Sequence, residues 1–257
     1  MNEKDLIKKI KEKRELKGIS DGVVEELIDN YVFKYKIDFE KIREKEMKII
    51  VKDIRAELRN YVGRFQKSLK DRIKMLENGN IWGMLKTHSS TAERLDFYPK
   101  LRRKIREMKV KSILDMGCGL NPVALAEKGI KYYACDINLD DLEIVERFFE
   151  KEKINGRVFI CDVRDIKDNL PVGDLCFLLK VLDIIEKNKK KKIEITKKIF
   201  EKVKCKKFLI SFSTKKLSGK MMNRPDRIWF EKLLMDLGLK FEKFESENEV
   251  FYLVEKS

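Results

Sequence analysis

The 257-residue sequence predicts an α/β fold, a mostly parallel doubly wound sheet preceded by an all-helical amino-terminal domain. Three observations lead there. Residues 1–86 contain no strand-like run, and their apolar residues recur at steps of three and four. From residue 112 onward, short β-rich runs alternate with helical stretches, the pattern of parallel strands joined by crossover helices. The first of these runs, S-I-L-D-M, leads into G-C-G at 117–119, where a ligand crevice opens in such sheets.

Taken in order, Leu6 to Ile10 and Val23 to Ile28 predict two short helices. The series Ile50, Ile54, Leu58, Val62, Phe65, Leu69, Ile73, Leu76 predicts one long helix with an apolar face turned to a core. Its remaining positions carry Lys52, Arg55, Arg59, Arg64, Lys67 and Lys70, so one element serves packing and contact with a polyanion. Strands are predicted at 112–116, 131–135, 157–161, 174–179 and 206–212, with helices near 122–127, 139–152, 187–203 and 226–237. Leu239 to Phe244 and Val250 to Val254, joined by E-S-E-N-E, predict a closing hairpin. The domain boundary falls at residue 86, giving 1–86 and 87–257.

Composition narrows the function. With 43% hydrophobic and 40% charged residues the chain is a folded, strongly ionic protein. No window reaches the roughly 18 apolar residues of a membrane span, and the amino terminus lacks a signal-peptide core, so a cytoplasmic protein is expected. One histidine and five dispersed cysteines argue against a metal site and for reduced, buried thiols. The formal charge of +15 is concentrated. Residues 1–110 sum to about +10, 111–180 to about −3 and 187–220 to about +12. A field of this sign points to RNA or DNA as partner. Abundant Lys, Glu and Ile beside a single glutamine, Gln66, match a heat-adapted protein.

Gly117 and Gly119 let backbone approach a ligand closely, and the next two strands end in acids. Asp136 closes Y-Y-A-C-D, where an acid accepts hydrogen bonds from a ribose diol, and Asp162 in F-I-C-D-V is placed to reach an adenine amino group. The third glycine of a dinucleotide cradle is missing, replaced by Leu120-Asn121-Pro122. The set Gly117, Gly119, Asp136 and Asp162, with the following Ile137 and Val163, therefore looks like an S-adenosylmethionine pocket on a Rossmann-like sheet. L-L-K-V-L-D after the fourth strand lacks the Asn/Asp-Pro-Pro common in methylation of exocyclic base amines. Trp82 and Trp229 are expected in the core.

Three segments carry a family resemblance: T-H-S-S-T-A-E-R-L-D-F-Y at 87–98, C-F-L-L-K-V-L at 176–182 and L-I-S-F-S-T-K-K-L-S-G-K at 209–220. In order and position they resemble the small-subunit ribosomal RNA guanine-N7 methyltransferases known from aminoglycoside resistance, over roughly residues 85 to 235. Lys216 stands where a serine is expected in the resistance enzymes, and the heat-adapted composition points to a housekeeping or archaeal-type relative.

The resemblance implies an S-adenosylmethionine-dependent methyltransferase fold acting on ribosomal RNA of the small subunit, and a monomer is expected. It places His88, Ser89, Ser90 and Arg94 in a segment over the cofactor, with Arg94 gripping the methionine carboxylate, and Leu178 or Leu179 against adenine. Lys215, Lys216, Ser218 and Lys220 would hold phosphates beside the target guanine, while Arg55, Arg59 and Lys67 serve the helical RNA-binding domain. Guanine N7 carries a lone pair and no proton, so the chemistry asks for alignment rather than a catalytic base. A methyltransferase of transfer RNA or another RNA, and a non-catalytic ribosome-assembly factor keeping the fold, are the rival expectations.

Overall fold

The computed structural model describes residues 3–38, 42–61, 67–186, 193–215, 222 and 226–256. Helices α1 (Glu3–Lys11), α2 (Asp21–Tyr35) and α3 (Glu44–Leu58) share a core of their own, built from Leu6, Ile10, Val24, Ile28, Ile50 and Ile54 among others. The single long helix expected across residues 50–76 is two elements. α3 ends at Leu58 in a turn, and α4 (Leu69–Glu77) begins at Ser68, whose hydroxyl accepts the Asp71 N–H and so caps the new helix. Val62 and Phe65 of the predicted stripe lie outside the described residues.

α4 and α5 (Ile81–Leu85) precede residue 86 but bury Leu76, Met84 and Leu85 in the core of the sheet. Buried Arg72 of α4 pairs with buried Asp141, anchoring that helix by a charge contact as well. Trp82, expected in the core, is 57% exposed, because the inward face of the short α5 is taken by Met84 and Leu85. Trp229 is partly buried against Phe212 and Phe230.

The sheet has seven strands in the order β3-β2-β1-β4-β5-β7-β6. These are β1 (Ser112–Met116), β2 (Lys131–Asp136), β3 (Gly156–Ile160), β4 (Gly173–Leu179), β5 (Cys205–Ser213), β6 (Lys240–Glu245) and β7 (Glu249–Glu255). β1 to β5 pair in parallel, and β7 runs antiparallel to both β5 and β6. β7, with Val250, Phe251, Tyr252 and Val254 all buried, takes the inner place, whereas β6, with exposed Lys240, Glu242 and Lys243, forms a charged edge.

Side-chain alternation along the strands feeds two cores. Ile113, Ala134, Leu175 and Phe177 face α7 (Tyr98–Glu107), α8 (Asn121–Leu125) and α9 (Leu139–Glu152). Leu114, Met116, Cys176, Phe208 and Ile210 face α11 (Glu194–Lys202) and α12 (Ile228–Asp236), with the short α10 (Leu182–Ile185) beside them. The chain order reverses between β1 and β4, which puts the crevice at their carboxyl ends, beside Gly117 and Lys180.

Candidate active site

Gly117 and Gly119 both have positive φ, +68° and +47°. A Cβ on Gly117 would lie 2.8 Å from Val181 Cγ2, and one on Gly119 would lie 3.1 Å from the His88 ring, so both positions demand glycine. The Gly117 and Cys118 amides donate to the Cys135 carbonyl at 2.9 and 3.0 Å, fastening the turn to the end of β2. Asp136 completes it: Oδ2 accepts the Gly119 N–H at 2.8 Å and Oδ1 the Asn138 N–H at 3.0 Å. Burial, helped by the charge of Asp141, pushes its carboxyl up to about 6, against the pull of those amides. At neutral pH it is a carboxylate with acceptor capacity to spare.

His88 lies over this turn immediately before α6 (Ser89–Arg94), which Ser89 opens, and Ser90 Oγ is 2.9 Å from its Nδ1. Burial lowers the imidazole pKa, with the cations Arg72, Arg94 and Lys180 adding to the effect, so the ring is neutral. Gly117, Gly119, Asp136 and the His88 segment are thus brought together as the sequence predicts.

Arg94 is placed differently. Its fork is fully buried and holds the Glu249 carboxylate, Nε to Oε2 at 3.0 Å and Nη2 to Oε1 at 2.6 Å, while Nη1 donates to Asn121 Oδ1 at 2.6 Å. The carboxylate expected from a cofactor is supplied by the chain itself, and Arg94 braces α6 against β7 and α8. Glu249 also contacts Lys180 Nζ at 3.0 Å, and Lys180 pairs with Glu93 as well. Burial alone would raise the Glu249 carboxyl, but Arg94 and Lys180 outweigh it and hold it below the usual range. Lys180 itself sits at φ +62°, directly after β4 on the rim of the crevice.

Of the other expected cofactor contacts, Leu178, Leu179 and Val163 are taken into the interior. Leu178 and Leu179 are 0% and 3% exposed and face opposite cores, because successive strand residues alternate; neither presents a surface to adenine. Val163 is buried in the same core as Leu178. Ile137 is partly buried against the core of the helical domain. Asp162 is gripped by Arg164, whose Nε lies 3.0 Å from each carboxylate oxygen, so an adenine contact there competes with a neighbouring cation.

Of the expected RNA contacts, Arg55 is turned inward. Nε donates to the Ile10 carbonyl at 3.1 Å, Nη2 to the Lys9 carbonyl, and Glu12 pairs with it at 3.2 Å, so it satisfies the carbonyls that the end of α1 leaves open. Arg59 pairs with Glu15 and remains half exposed, and Lys67 is exposed. Lys215 reaches Glu247 at 2.7 Å. Lys216, Ser218, Lys220 and the lysine run at 187–192 lie outside the described residues.

Glu249 and Asn121 escaped the sequence reading. Glu249 is 155 positions from Arg94, and no local pattern links them; Asn121 read only as the opening of a helix. Tyr98, whose hydroxyl donates to Asn121 at 2.8 Å, was visible as the last residue of the T-H-S-S segment.

A family model described as "Ribosomal RNA methyltransferase (FmrO)" matches residues 56–253. A Serratia marcescens protein named "16S rRNA (guanine(1405)-N(7))-methyltransferase" is 29% identical over 229 residues, 84% of this chain and 86% of its own. The solved 16S rRNA methylase ArmA is 29% identical, covering 74% of this chain and 99% of that one, with a TM-score of 0.58. In fold the likeness extends to the methyltransferase RmtF, crystallised with S-adenosyl-L-homocysteine: TM-score 0.82, 22% identity and 100% of both chains.

Proposed function

Because this chain belongs to the FmrO family of ribosomal RNA methyltransferases, we propose that it methylates N7 of a guanine in the decoding region of small-subunit ribosomal RNA, using S-adenosylmethionine. The observation that carries the reading is the family match over residues 56–253, which includes the glycine turn, Asp136 and the rim at Lys180 and Lys215. The turn fits the cofactor. Two glycines in left-handed conformation shape it, and the Asp136 carboxylate meets it from the end of the neighbouring strand.

When bound there, S-adenosylmethionine supplies an electrophilic methyl group. The Gly117–Gly119 turn would hold it, Asp136 would serve as acceptor for its ribose hydroxyls, and neutral His88 lies over the turn. Arg94 acts as a positioning residue: with its own fork closed on Glu249 and Asn121, it fixes α6 and hence His88. On the acceptor side guanine N7 has no proton to lose, so the protein must orient the base rather than deprotonate it. Lys215, beyond the carboxyl end of β5 and paired at the surface with Glu247, is the described lysine placed to supply positive charge for phosphates beside that base, while Lys180 is held by Glu93 and Glu249.

The helical region, residues 1–86, docks the RNA; it combines the self-cored α1 to α3 with α4 and α5 laid on the sheet. Exposed Lys67 and half-exposed Arg59 remain on its surface for that contact, and Arg55 is reassigned to holding α1. We take the protein to act as a cytoplasmic monomer. Among the described residues no helix is long and apolar enough to cross a membrane.

The test uses cofactor with a labelled methyl group, the purified protein, and three acceptors: small ribosomal subunits, naked small-subunit RNA and transfer RNA. Cleavage at N7-methylated positions followed by primer extension is expected to give one stop, in the decoding region. Label confined to transfer RNA, or a modified base resistant to that cleavage, overturns the assignment.

A further inference from the structure

The helical domain meets the sheet at the ends of the two strands that carry the pocket acids. After Asp136, the Ile137 side chain enters the helical-domain core, and the Ile137 carbonyl accepts the Ser20 N–H at 2.9 Å. The Leu139 N–H donates to the Gly18 carbonyl at 2.7 Å, and Ile19 bridges Asn138. Gly18 is required for this approach, since a Cβ there would lie 2.5 Å from Asn138 Oδ1. After Asp162, the Arg164 guanidinium holds the Asp162 carboxylate, donates from Nη1 to the Tyr61 hydroxyl at 3.2 Å and lies 4.5 Å from the centre of the Tyr61 ring. Tyr61 belongs to the turn that ends α3 and packs on the helical-domain core. Arg164 is thus one cation shared by a pocket acid and the helical domain, partly buried and so weakly screened.

From this juxtaposition we infer that Arg164 is a positioning residue that couples the two halves of the reaction: through Tyr61 it makes the seat of the RNA-docking domain and the orientation of Asp162 depend on each other. The inference rests on the proposed function for the identity of the two ligands. A shift of α3 on binding RNA moves Tyr61, and Arg164 must follow it or release it; in either case the Asp162 carboxylate is re-aimed. Linkage makes the effect reciprocal. Whatever factor bound RNA adds to cofactor affinity, bound cofactor adds to RNA affinity.

The experiment measures, for the full chain, the affinity for small ribosomal subunits with and without saturating S-adenosylhomocysteine. Calorimetry with S-adenosylhomocysteine alone and thermal melting accompany it. The wild type is expected to bind subunits at least about five-fold more tightly when the homocysteine compound is present. Arg164→Lys keeps a cation against Asp162 but cannot span to Tyr61. It should melt alike and lose the five-fold factor, whatever its affinity for the compound alone. Tyr61→Phe, a milder change that leaves the ring in its core, should reduce the factor while leaving both single affinities in place. A wild-type factor near one, or a factor unchanged in both variants, overturns the coupling and leaves the proposed function standing. Absence of any binding of S-adenosylhomocysteine, or of small subunits, by the wild type overturns the proposed function and this inference with it.

Discussion

Replacing Glu249 with glutamine removes the negative charge on which the Arg94 fork closes. Arg94 and Glu249 are 1% and 1% exposed, so the guanidinium cannot recover its lost partner from water. Removing one member of a buried pair costs about 3–5 kcal/mol, because the other charge stays buried and uncompensated. A Coulomb estimate of roughly 4 kcal/mol for unit charges about 4 Å apart, at an effective dielectric constant near 20, agrees. Glutamine keeps an acceptor for one N–H, which places the expected loss toward the lower end, about 3 kcal/mol. For a chain of this size that lowers the melting temperature by roughly 6–12 °C.

Urea denaturation at neutral pH gives the comparison, read as a shift in midpoint at constant slope. The pH dependence supplies the sign check. Glu249 holds its proton more weakly folded than unfolded, where its value is 4.5. Its contribution is therefore full above that value and disappears as pH falls through the lower folded value, so the gap between wild type and variant should close in acid. Arg94→Met should be less harmful, since Glu249 still has Lys180 at 3.0 Å. A loss below about 1 kcal/mol for Glu249→Gln, or a gap that widens in acid, refutes the reasoning.

Other outcomes follow from the site. Asp136→Asn should abolish most cofactor binding, and in the wild type cofactor affinity should be flat above about 6 and fall on acidification below it, as that carboxyl takes up its proton; calorimetry across pH checks both. Asp115 is fully buried, with Oδ1 without a partner among the described residues and Oδ2 accepting the Tyr132 hydroxyl, and burial pushes it up to about 7. The folded state then binds the proton more tightly than the unfolded one. Stability should fall as pH rises from 3.8 to about 7 and level off above, and Asp115→Asn should flatten the profile in thermal melts. Gly117→Ala should cost about 1–2 kcal/mol for the left-handed backbone alone, and more for its contact with Val181. Loss of cofactor binding should accompany it. Arg55→Ala should lower stability with little change in RNA affinity, whereas Lys67→Ala should do the reverse; salt-dependent RNA binding and melting separate the two.

What was legible in the sequence was local. β1 spans 112–116 and α9 spans 139–152, the predicted bounds, because strand composition, the glycine turn and the Asn138 cap all act within a few residues. The same locality misled at α3 and α4. Apolar spacing of three and four continued in register across the turn after Leu58, and Ser68, a good cap followed three residues later by Asp71, was the signal that a new helix begins. The pocket acids were found because each ends a strand. Their present partners were not: Arg164 answers to Tyr61 at the end of α3, and Arg94 to Glu249, 155 positions further along the chain. Leu178 and Leu179 fit a resemblance in position, but alternation across a central strand sends both into packed cores.

The inner place of β7 has a consequence for how the protein is made. The strand that lies between β5 and β6 is translated after both, and it brings the partner of Arg94. While the chain is still emerging, β5 is an open edge and the guanidinium under α6 has no acid to close on. Fixing α6 over the glycine turn therefore waits on the insertion of β7 between two strands that precede it in the chain.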